Sequence, residues 1–335
     1  MRNRRWAAAA AAVSALTLAA CSAPPAPGTG ADFEGTIDLS LALGEGSHHH
    51  AGAEAFAEEL SDLTQGRIET EFYYNNALGG EREVVEGMSI GSVDAGIAST
   101  GPMGGFVEEY YLFDLPYLFQ DYDHAWAALD GSVGDELAGL LEEEADVRVL
   151  SWMENGFRHM TNGVRPVHTP DDLDDMVHRT QESNVQIDTW SQLGANATPL
   201  AWPEVYTALQ QGVMDSQENP LPTIADVRFH EVQDHLALTQ HTYSPAPLMI
   251  SGDLWRQLSE DDQQAVTRAA EHALPVQREA SVEQAGAAVQ DLEDEGMQVT
   301  RPDLEAFEAR TGPVRDTWAP RLGEDLVEDA RSATP

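Results

Sequence analysis

The chain has 335 residues, of which 58 are acidic and 18 are arginine; lysine is absent, and the formal net charge at pH 7 is −40. So negative a surface repels nucleic acid phosphates and anionic lipid headgroups, which makes both poor candidates as binding partners, and we predict no nucleic acid partner. A single cysteine, Cys21, excludes a disulfide within the chain. An anionic ligand would therefore need a local cluster of arginine.

The N-terminus has the features of an export signal. Basic residues lie within the first five positions, an apolar stretch follows from Trp6 to Ala20, and a Ser/Pro/Gly-rich segment begins after Cys21. Leu18-Ala19-Ala20-Cys21 resembles the lipobox of bacterial lipoproteins. That resemblance implies a signal peptide over 1–20, lipid attachment at Cys21 and anchoring to the outer face of the cell membrane. The alternative is an ordinary signal peptide with a chance cysteine near its end.

After a flexible linker over 21–35, the first half of the chain alternates strand and helix patterns. Apolar residues recur at every second position from Ile37 to Leu43, which predicts a half-buried strand. The following patterns predict a helix over 53–63, a strand over 67–74, a helix over 81–90 and a strand over 92–98. This order is typical of a parallel sheet covered by helices.

A second set of α/β units begins near Val147. The patterns predict strands at 147–150, 157–161, 197–200 and 213–216, helices at 188–193 and 203–211, a β-rich stretch at 236–251 and a long helix at 254–292 with a kink at Pro275. A chain of this length with 42% hydrophobic residues is large enough for two cores. We therefore predict an α/β fold with two lobes and a ligand cleft between them.

No motif for catalysis stands out in the sequence. Common nucleophile, phosphate-binding and paired-cysteine motifs do not occur, so we predict no enzyme activity and no cofactor. The run His48-His49-His50 is the one candidate for a metal site. Because adjacent side chains point in different directions, we predict no metal there and expect one of the three to face the cleft. A metal-dependent hydrolase remains the alternative if this run binds zinc.

Few cations are available to hold an anion. Between Arg82 and Arg256 the arginines are Arg148, Arg158, Arg165, Arg179 and Arg228. Arg158 and Arg179 lie near predicted strand ends in the second half, where a guanidinium can pair with a carboxylate through two parallel hydrogen bonds. We expect Arg148 and Arg165 to make local structural contacts instead.

Several blocks of the sequence resemble one family, the solute-binding proteins of tripartite ATP-independent periplasmic (TRAP) transporters. The similarity runs from about residue 37 to 305, and its longest block is Glu204 to Pro220. Shorter blocks are Leu78-Gly79-Gly80-Glu81-Arg82, Asp114-Leu115-Pro116-Tyr117-Leu118-Phe119, Asn155-Gly156-Phe157-Arg158, Thr169-Pro170-Asp171-Asp172-Leu173 and Leu193-Gly194-Ala195.

The resemblance implies a periplasmic-binding-protein fold in which each lobe is a mixed sheet flanked by helices and a long helix links the lobes. Lobe I is expected over 36–156 plus about 245–284, and lobe II over 157–244 plus about 285–331. Such a receptor closes on a small organic carboxylate and delivers it to a small and a large membrane subunit for ion-driven uptake. A receptor of an ATP-driven transporter or a ligand-sensing module is the alternative.

The resemblance also implies a set of ligand contacts. It assigns the carboxylate to Arg179, a second ligand-facing guanidinium to Arg158, an aromatic contact to Trp202 and an amide contact to Asn219. Ser99 and His48 complete the candidates. The alternatives are a salt bridge between lobes for Arg158, a core position for Trp202 and a helix cap for Asn219.

The sequence departs from the family pattern around the carboxylate site. Where the family commonly has Gly-Leu-Lys-Ile-Arg-Val-Pro, this chain has Asp175-Met176-Val177-His178-Arg179-Thr180-Gln181, followed by Glu182. A carboxylate so close to the site could change which substituents are accepted. The identity of the ligand therefore stays open at this point.

Overall fold

The computed structural model describes residues 32–335, so the predicted signal peptide and Cys21 lie outside the described residues. The strands are β1 (Gly35–Leu41), β2 (Ile68–Tyr73), β3 (Ala95–Ile97), β4 (Val147–Ser151), β5 (Glu154–Asn162), β6 (Val177–Thr180), β7 (Asn196–Pro199), β8 (Ser216–Pro220), β9 (His235–Pro245), β10 (Leu248–Ser251) and β11 (Gln298–Thr300). The helices are α1 (His48–Thr64), α2 (Glu81–Ser89), α3 (Tyr122–Leu129), α4 (Ser132–Ala145), α5 (Asn184–Leu193), α6 (Val205–Gln210), α7 (Leu221–Asp226), α8 (Gly252–Gln257), α9 (Glu260–Asp294), α10 (Leu304–Leu322) and α11 (Glu324–Ser332).

The strands form two mixed sheets, as predicted. The first has the order β2-β1-β3-β10-β4, and we call this sheet and its helices the first lobe. In β1, Ile37, Leu39 and Leu41 are fully buried, which confirms the period-two pattern of that segment. β1 pairs in parallel with β2 and β3, whereas β10 lies antiparallel between β3 and β4.

The second sheet, with the order β11-β9-β5-β8-β6-β7, forms the second lobe. Its long central strands β5 and β9 run antiparallel to each other and also connect the lobes. β4 ends in the first sheet at Ser151 and β5 starts in the second at Glu154, while β9 ends at Pro245 and β10 starts in the first sheet at Leu248. Two chain crossings thus lie side by side and form a hinge.

Helix α9 is the third connection between the lobes. It packs on α1 in the first lobe and on α7 in the second, and it continues through Pro275. The C-terminal helix α11 packs against α3 and α4. None of the helices in residues 32–335 is both long enough and apolar enough to cross a membrane.

One predicted strand was wrong. The segment 213–216 was expected to be extended because of its apolar Val213, but Val213 is exposed in a turn after α6, and the strand begins only at Ser216. β8 consists of Ser216, Gln217, Glu218, Asn219 and Pro220, all of them buried although the first four have polar side chains. Because these polar side chains are satisfied mainly by hydrogen bonds to neighbouring strands rather than by apolar packing, an apolar pattern could not locate them.

Candidate functional site

A small cavity lies between the two lobes. Its walls include three predicted site residues, Ser99 from the first lobe and Trp202 and Asn219 from the second. Its volume is about 10 Å³, which is room for about one water molecule. Because the lining side chains Ser99 and Asn219 are buried, a solute can enter only when the lobes separate at the hinge.

Arg179 is the most unusual cation of the site. It lies in β6 and is only 1% exposed, yet within residues 32–335 no carboxylate forms a salt bridge with it. Its Nε donates to the carbonyl oxygen of Leu200 at 2.9 Å, while its Nη1 is buried without a hydrogen-bond partner among the described residues. Burial lowers the pKa of Arg179 to about 10, which reflects the cost of this charge in the closed lobe.

Arg158 is equally buried but is neutralised inside the second sheet. Its Nε and Nη2 donate to the carboxylate of Glu218 on the neighbouring strand β8, and Nη2 also donates to the Glu218 carbonyl at 2.8 Å. His241 Nε2 lies 3.3 Å from the same carboxylate. Burial raises the pKa of Glu218, but the charge of Arg158 and the hydrogen bonds from His241 and Arg158 outweigh burial and lower it to about 2. Arg158 thus forms a salt bridge within one lobe.

Trp202 and Asn219 lie beside these two arginines. The Arg179 guanidinium carbon lies 5.9 Å from the Trp202 ring centre, and Trp202 Nε1 donates across the cleft to the carbonyl oxygen of Ala42 at 3.3 Å. Asn219 accepts from Arg158 Nη2 at 3.1 Å and donates to Gln217 at 2.6 Å. Trp202 and Asn219 thus line the cavity, whereas Arg179 lies next to Trp202 and Arg158 next to Asn219, and neither arginine is among the lining residues.

Ser99 belongs to a hydrogen-bond network that joins the lobes. Its backbone N–H and its hydroxyl both donate to Glu81 Oε1, at 2.8 and 2.7 Å. Gln181, two residues after Arg179, donates to Ser99 Oγ at 2.6 Å and lies 3.5 Å from Glu81 Oε2. Glu81 and Gln181 also line the cavity, and sequence reasoning missed both as site residues. Their polar character is ordinary for this acidic chain, so only the fold reveals them.

The three histidines His48, His49 and His50 form the first turn of helix α1, next to the cavity. His49 lines the cavity, whereas His48 is buried next to it with 4.5 Å between the ring centres. Both ring nitrogens of His49 lack a hydrogen-bond partner within residues 32–335. Burial and the neighbouring His48 hold the pKa of His49 well below its usual range, so His49 is neutral at pH 7. No group of three or more metal-ligating side chains occurs in the described part of the chain.

The predicted structural roles of the other two arginines are confirmed. Arg148 pairs with Glu142 at 2.8 Å, and Arg165 donates to the carbonyl oxygen of Asp172 at 2.8 Å.

A larger groove of about 980 Å³ is lined by residues that include Tyr117, Arg315 and Arg331. There Arg315 is already paired with Glu308 at 3.2 Å, and Arg331 is open to solvent. This groove therefore offers no buried, unpaired cation to an organic acid.

Known proteins are similar to this chain over most of its length. The family model for bacterial extracellular solute-binding proteins of family 7, DctP, matches residues 39–320. A solute-binding protein of Verminephrobacter eiseniae is 39% identical over 299 residues, which cover 89% of this chain and 89% of that protein.

Two solved structures of TRAP periplasmic solute-binding proteins show the same fold. The protein of a Polaromonas species, bound to D-erythronate, is 37% identical with a TM-score of 0.88 and covers 90% of this chain and 100% of its own. The protein of Roseobacter denitrificans, with bound L-galactonate, is 34% identical with a TM-score of 0.84 and covers 90% of this chain and 99% of its own. The chain accordingly belongs to family 7 of the bacterial extracellular solute-binding proteins, the solute receptors of TRAP transporters.

Proposed function

We propose that this receptor captures a small hydroxylated monocarboxylic acid between its lobes and holds the carboxylate on Arg179. The observation that carries the proposal is the buried guanidinium of Arg179, whose Nη1 has no partner in residues 32–335. The charges of Glu218, Glu81 and Glu182 act on Arg179 without forming a salt bridge, whereas a bidentate carboxylate would satisfy both its charge and its donors directly. The closed cleft would exclude water from this pair and strengthen it.

The number of arginines that are free to pair with a ligand supports an acid with one carboxylate. Glu218 neutralises Arg158 within the second lobe, so Arg158 contributes donors but no net charge to the cleft. Within residues 32–335, Arg179 is then the buried arginine beside the cavity residue Trp202 that makes no salt bridge. The relatives bound to D-erythronate and L-galactonate carry ligands with one carboxylate and several hydroxyl groups, which supports the same ligand class here.

The remaining residues have supporting roles in this proposal. Trp202 packs beside the Arg179 guanidinium, Asn219 presents its amide beside the carboxylate, and Ser99 contributes to the opposite wall of the cavity. His49, which lines the cavity, would contact the solute, and the buried His48 ring packs against the His49 ring. The family consists of solute-binding receptors, which supports release of the solute chemically unchanged.

Export and anchoring complete the proposal. The Leu18–Cys21 motif supports removal of residues 1–20 and lipid attachment at Cys21 outside the cell membrane. Closure of the lobes around the solute would create the surface that the small and large TRAP membrane subunits recognise. Nucleic acid and a cofactor have no part in this function.

A thermal-shift screen of organic acids tests the proposed function. A ligand present at about 100 times its dissociation constant stabilises the folded protein by about 2.7 kcal/mol, which gives a clear upward shift of the unfolding temperature. We expect shifts with hydroxylated monocarboxylates such as D-erythronate, a smaller radius of gyration on binding, and recovery of the acid unchanged. Turnover of the acid, or no shift with any organic acid, would contradict the proposal.

A further inference from the structure

The first lobe brings an anion to the wall of the cavity. Glu81, at the first turn of α2, lines the cavity, and its charge acts on Arg179 in the second lobe, which lies next to the lining residue Trp202. In residues 32–335, all hydrogen bonds to the Glu81 carboxylate come from neutral groups, two from Ser99 and one long contact from Gln181. The charge of Glu81 is therefore not cancelled by an ion pair within the described part of the chain.

The two oxygens of Glu81 are engaged to different degrees. Oε1 accepts two short bonds from Ser99, while Oε2 has one contact of 3.5 Å with Gln181 Nε2. Each carboxylate oxygen can accept about two hydrogen bonds, so Oε2 has spare capacity toward the cavity. A hydroxyl group can donate to that oxygen, whereas a second carboxylate would meet a like charge in an enclosed site.

A relay of amides fixes the orientation of Gln181 against Glu81. The Gln186 amide oxygen accepts from the backbone N–H of Gln181 at 3.0 Å, so its amide nitrogen donates to Asp114 Oδ1 at 2.8 Å and to Gln181 Oε1 at 2.9 Å. The Gln181 oxygen is thereby occupied, and its nitrogen has to point at Ser99 and Glu81.

His49 adds neutral hydrogen-bonding capacity on the same wall. Both of its ring nitrogens are buried and lack a partner in the described residues, and a neutral imidazole offers one donor and one acceptor. Neither His49 nor Ser99 brings a positive charge that could accommodate a second carboxylate. The first-lobe wall thus combines one anionic acceptor with neutral polar groups.

We infer that Glu81 sets the ligand selectivity of the receptor: it accepts a hydroxyl group of the bound acid and rejects a second carboxylate, and Gln181 is the positioning residue that holds Glu81 in place. This inference rests on the proposed function, because it requires the first carboxylate to lie on Arg179. It assigns to this chain a specificity-determining pair that spans the two lobes.

The test compares two four-carbon acids, D-erythronate and succinate, on wild type and Glu81→Gln by calorimetry. Glutamine keeps an acceptor oxygen but loses the charge, so D-erythronate should bind about 5- to 10-fold more weakly. Succinate should bind at least about 10-fold more tightly, because the like charge is gone. Glu86→Gln, which changes an exposed acid on the same helix, should leave both affinities unchanged.

Gln181→Leu provides a second, independent readout. Because Gln181 acts through Glu81, its loss should shift the erythronate-to-succinate preference in the same direction as Glu81→Gln, with a smaller change. Unfolding curves of each variant establish that it is folded.

If wild type binds acids through Arg179 but Glu81→Gln keeps the wild-type preference, this inference is wrong and the proposed function stands. Tighter binding of succinate than of D-erythronate by wild type would also overturn it. If no acid binds at all, the proposed function itself fails.

Discussion

Glu154 at the hinge is expected to make the stability of this receptor depend on pH. It is the first residue of β5, directly at the crossing between the lobes, and it is fully buried. Trp126 Nε1–H and the Tyr243 hydroxyl donate to its Oε2 at 2.7 and 2.9 Å. Gln277 in α9 binds both the backbone N–H and the carbonyl oxygen of Glu154, each at 2.6 Å.

Burial raises the pKa of Glu154 from 4.5 to about 7, although the hydrogen bonds from Trp126 and Tyr243 and the charge of Arg278 act in the opposite direction. Between these two pKa values the folded state binds more protons than the unfolded state. The free energy of unfolding therefore falls as pH rises through this window, and the full cost of the buried charge is present above about pH 7. At about 1.36 kcal/mol per pKa unit, that cost is about 3 kcal/mol.

The variant Glu154→Gln isolates this effect. Glutamine stays neutral at every pH and can still accept from Trp126 and Tyr243. The stability difference between variant and wild type should change by about 2–3 kcal/mol in favour of the variant from pH 5 to pH 8, as measured by urea unfolding. Glu143→Gln, at an exposed acid on α4, serves as the matched control. A difference that stays constant within about 0.5 kcal/mol would refute the reasoning.

Two further changes test other parts of the account. Glu218→Gln leaves the buried Arg158 without its counter-charge, so we expect a loss of about 3–5 kcal/mol in the free energy of unfolding, measured by urea titration at pH 7; a loss below about 1 kcal/mol would show that the pair is not needed for stability. Cys21→Ser should release the protein from the membrane fraction while its ligand affinity in calorimetry stays unchanged, and continued membrane retention of the variant would count against the lipid anchor.

Strands with a regular alternation of apolar residues were the elements that the sequence predicted reliably. The alternation of Ile37, Leu39 and Leu41 located β1 within two residues, because one face of that strand packs against α1. By contrast, β8 is a buried strand of polar side chains, and its partners lie on distant strands. No local pattern predicted it. Helices α3, α4, α7, α10 and α11 were not assigned either, although α4 buries Val133, Leu137 and Leu141 and α10 buries Phe307, Val314, Trp318 and Leu322 at helical spacing, a pattern that could have predicted these two helices.

The candidate site was predictable only in outline. The family resemblance pointed to both Arg158 and Arg179, but the sequence has 58 acidic residues and cannot tell which one neutralises an arginine. Only the pairing of β5 with β8 shows that Glu218 forms its salt bridge with Arg158, and only the folded structure shows that Arg179 makes none within residues 32–335. The same holds for Gln181, whose contact with Glu81 exists only after the lobes meet.

Calorimetry of Arg179→Ala with the acid that shifts wild type most strongly tests the central claim most directly. Removal of the guanidinium from a closed, water-excluding cleft should cost about 2–5 kcal/mol of binding free energy, which corresponds to about 30- to several-thousand-fold weaker binding. Arg310→Ala, which removes an exposed arginine paired with Asp171, should bind like wild type. An Arg179→Ala protein that is folded and binds within about threefold of wild type would show that the carboxylate lies elsewhere.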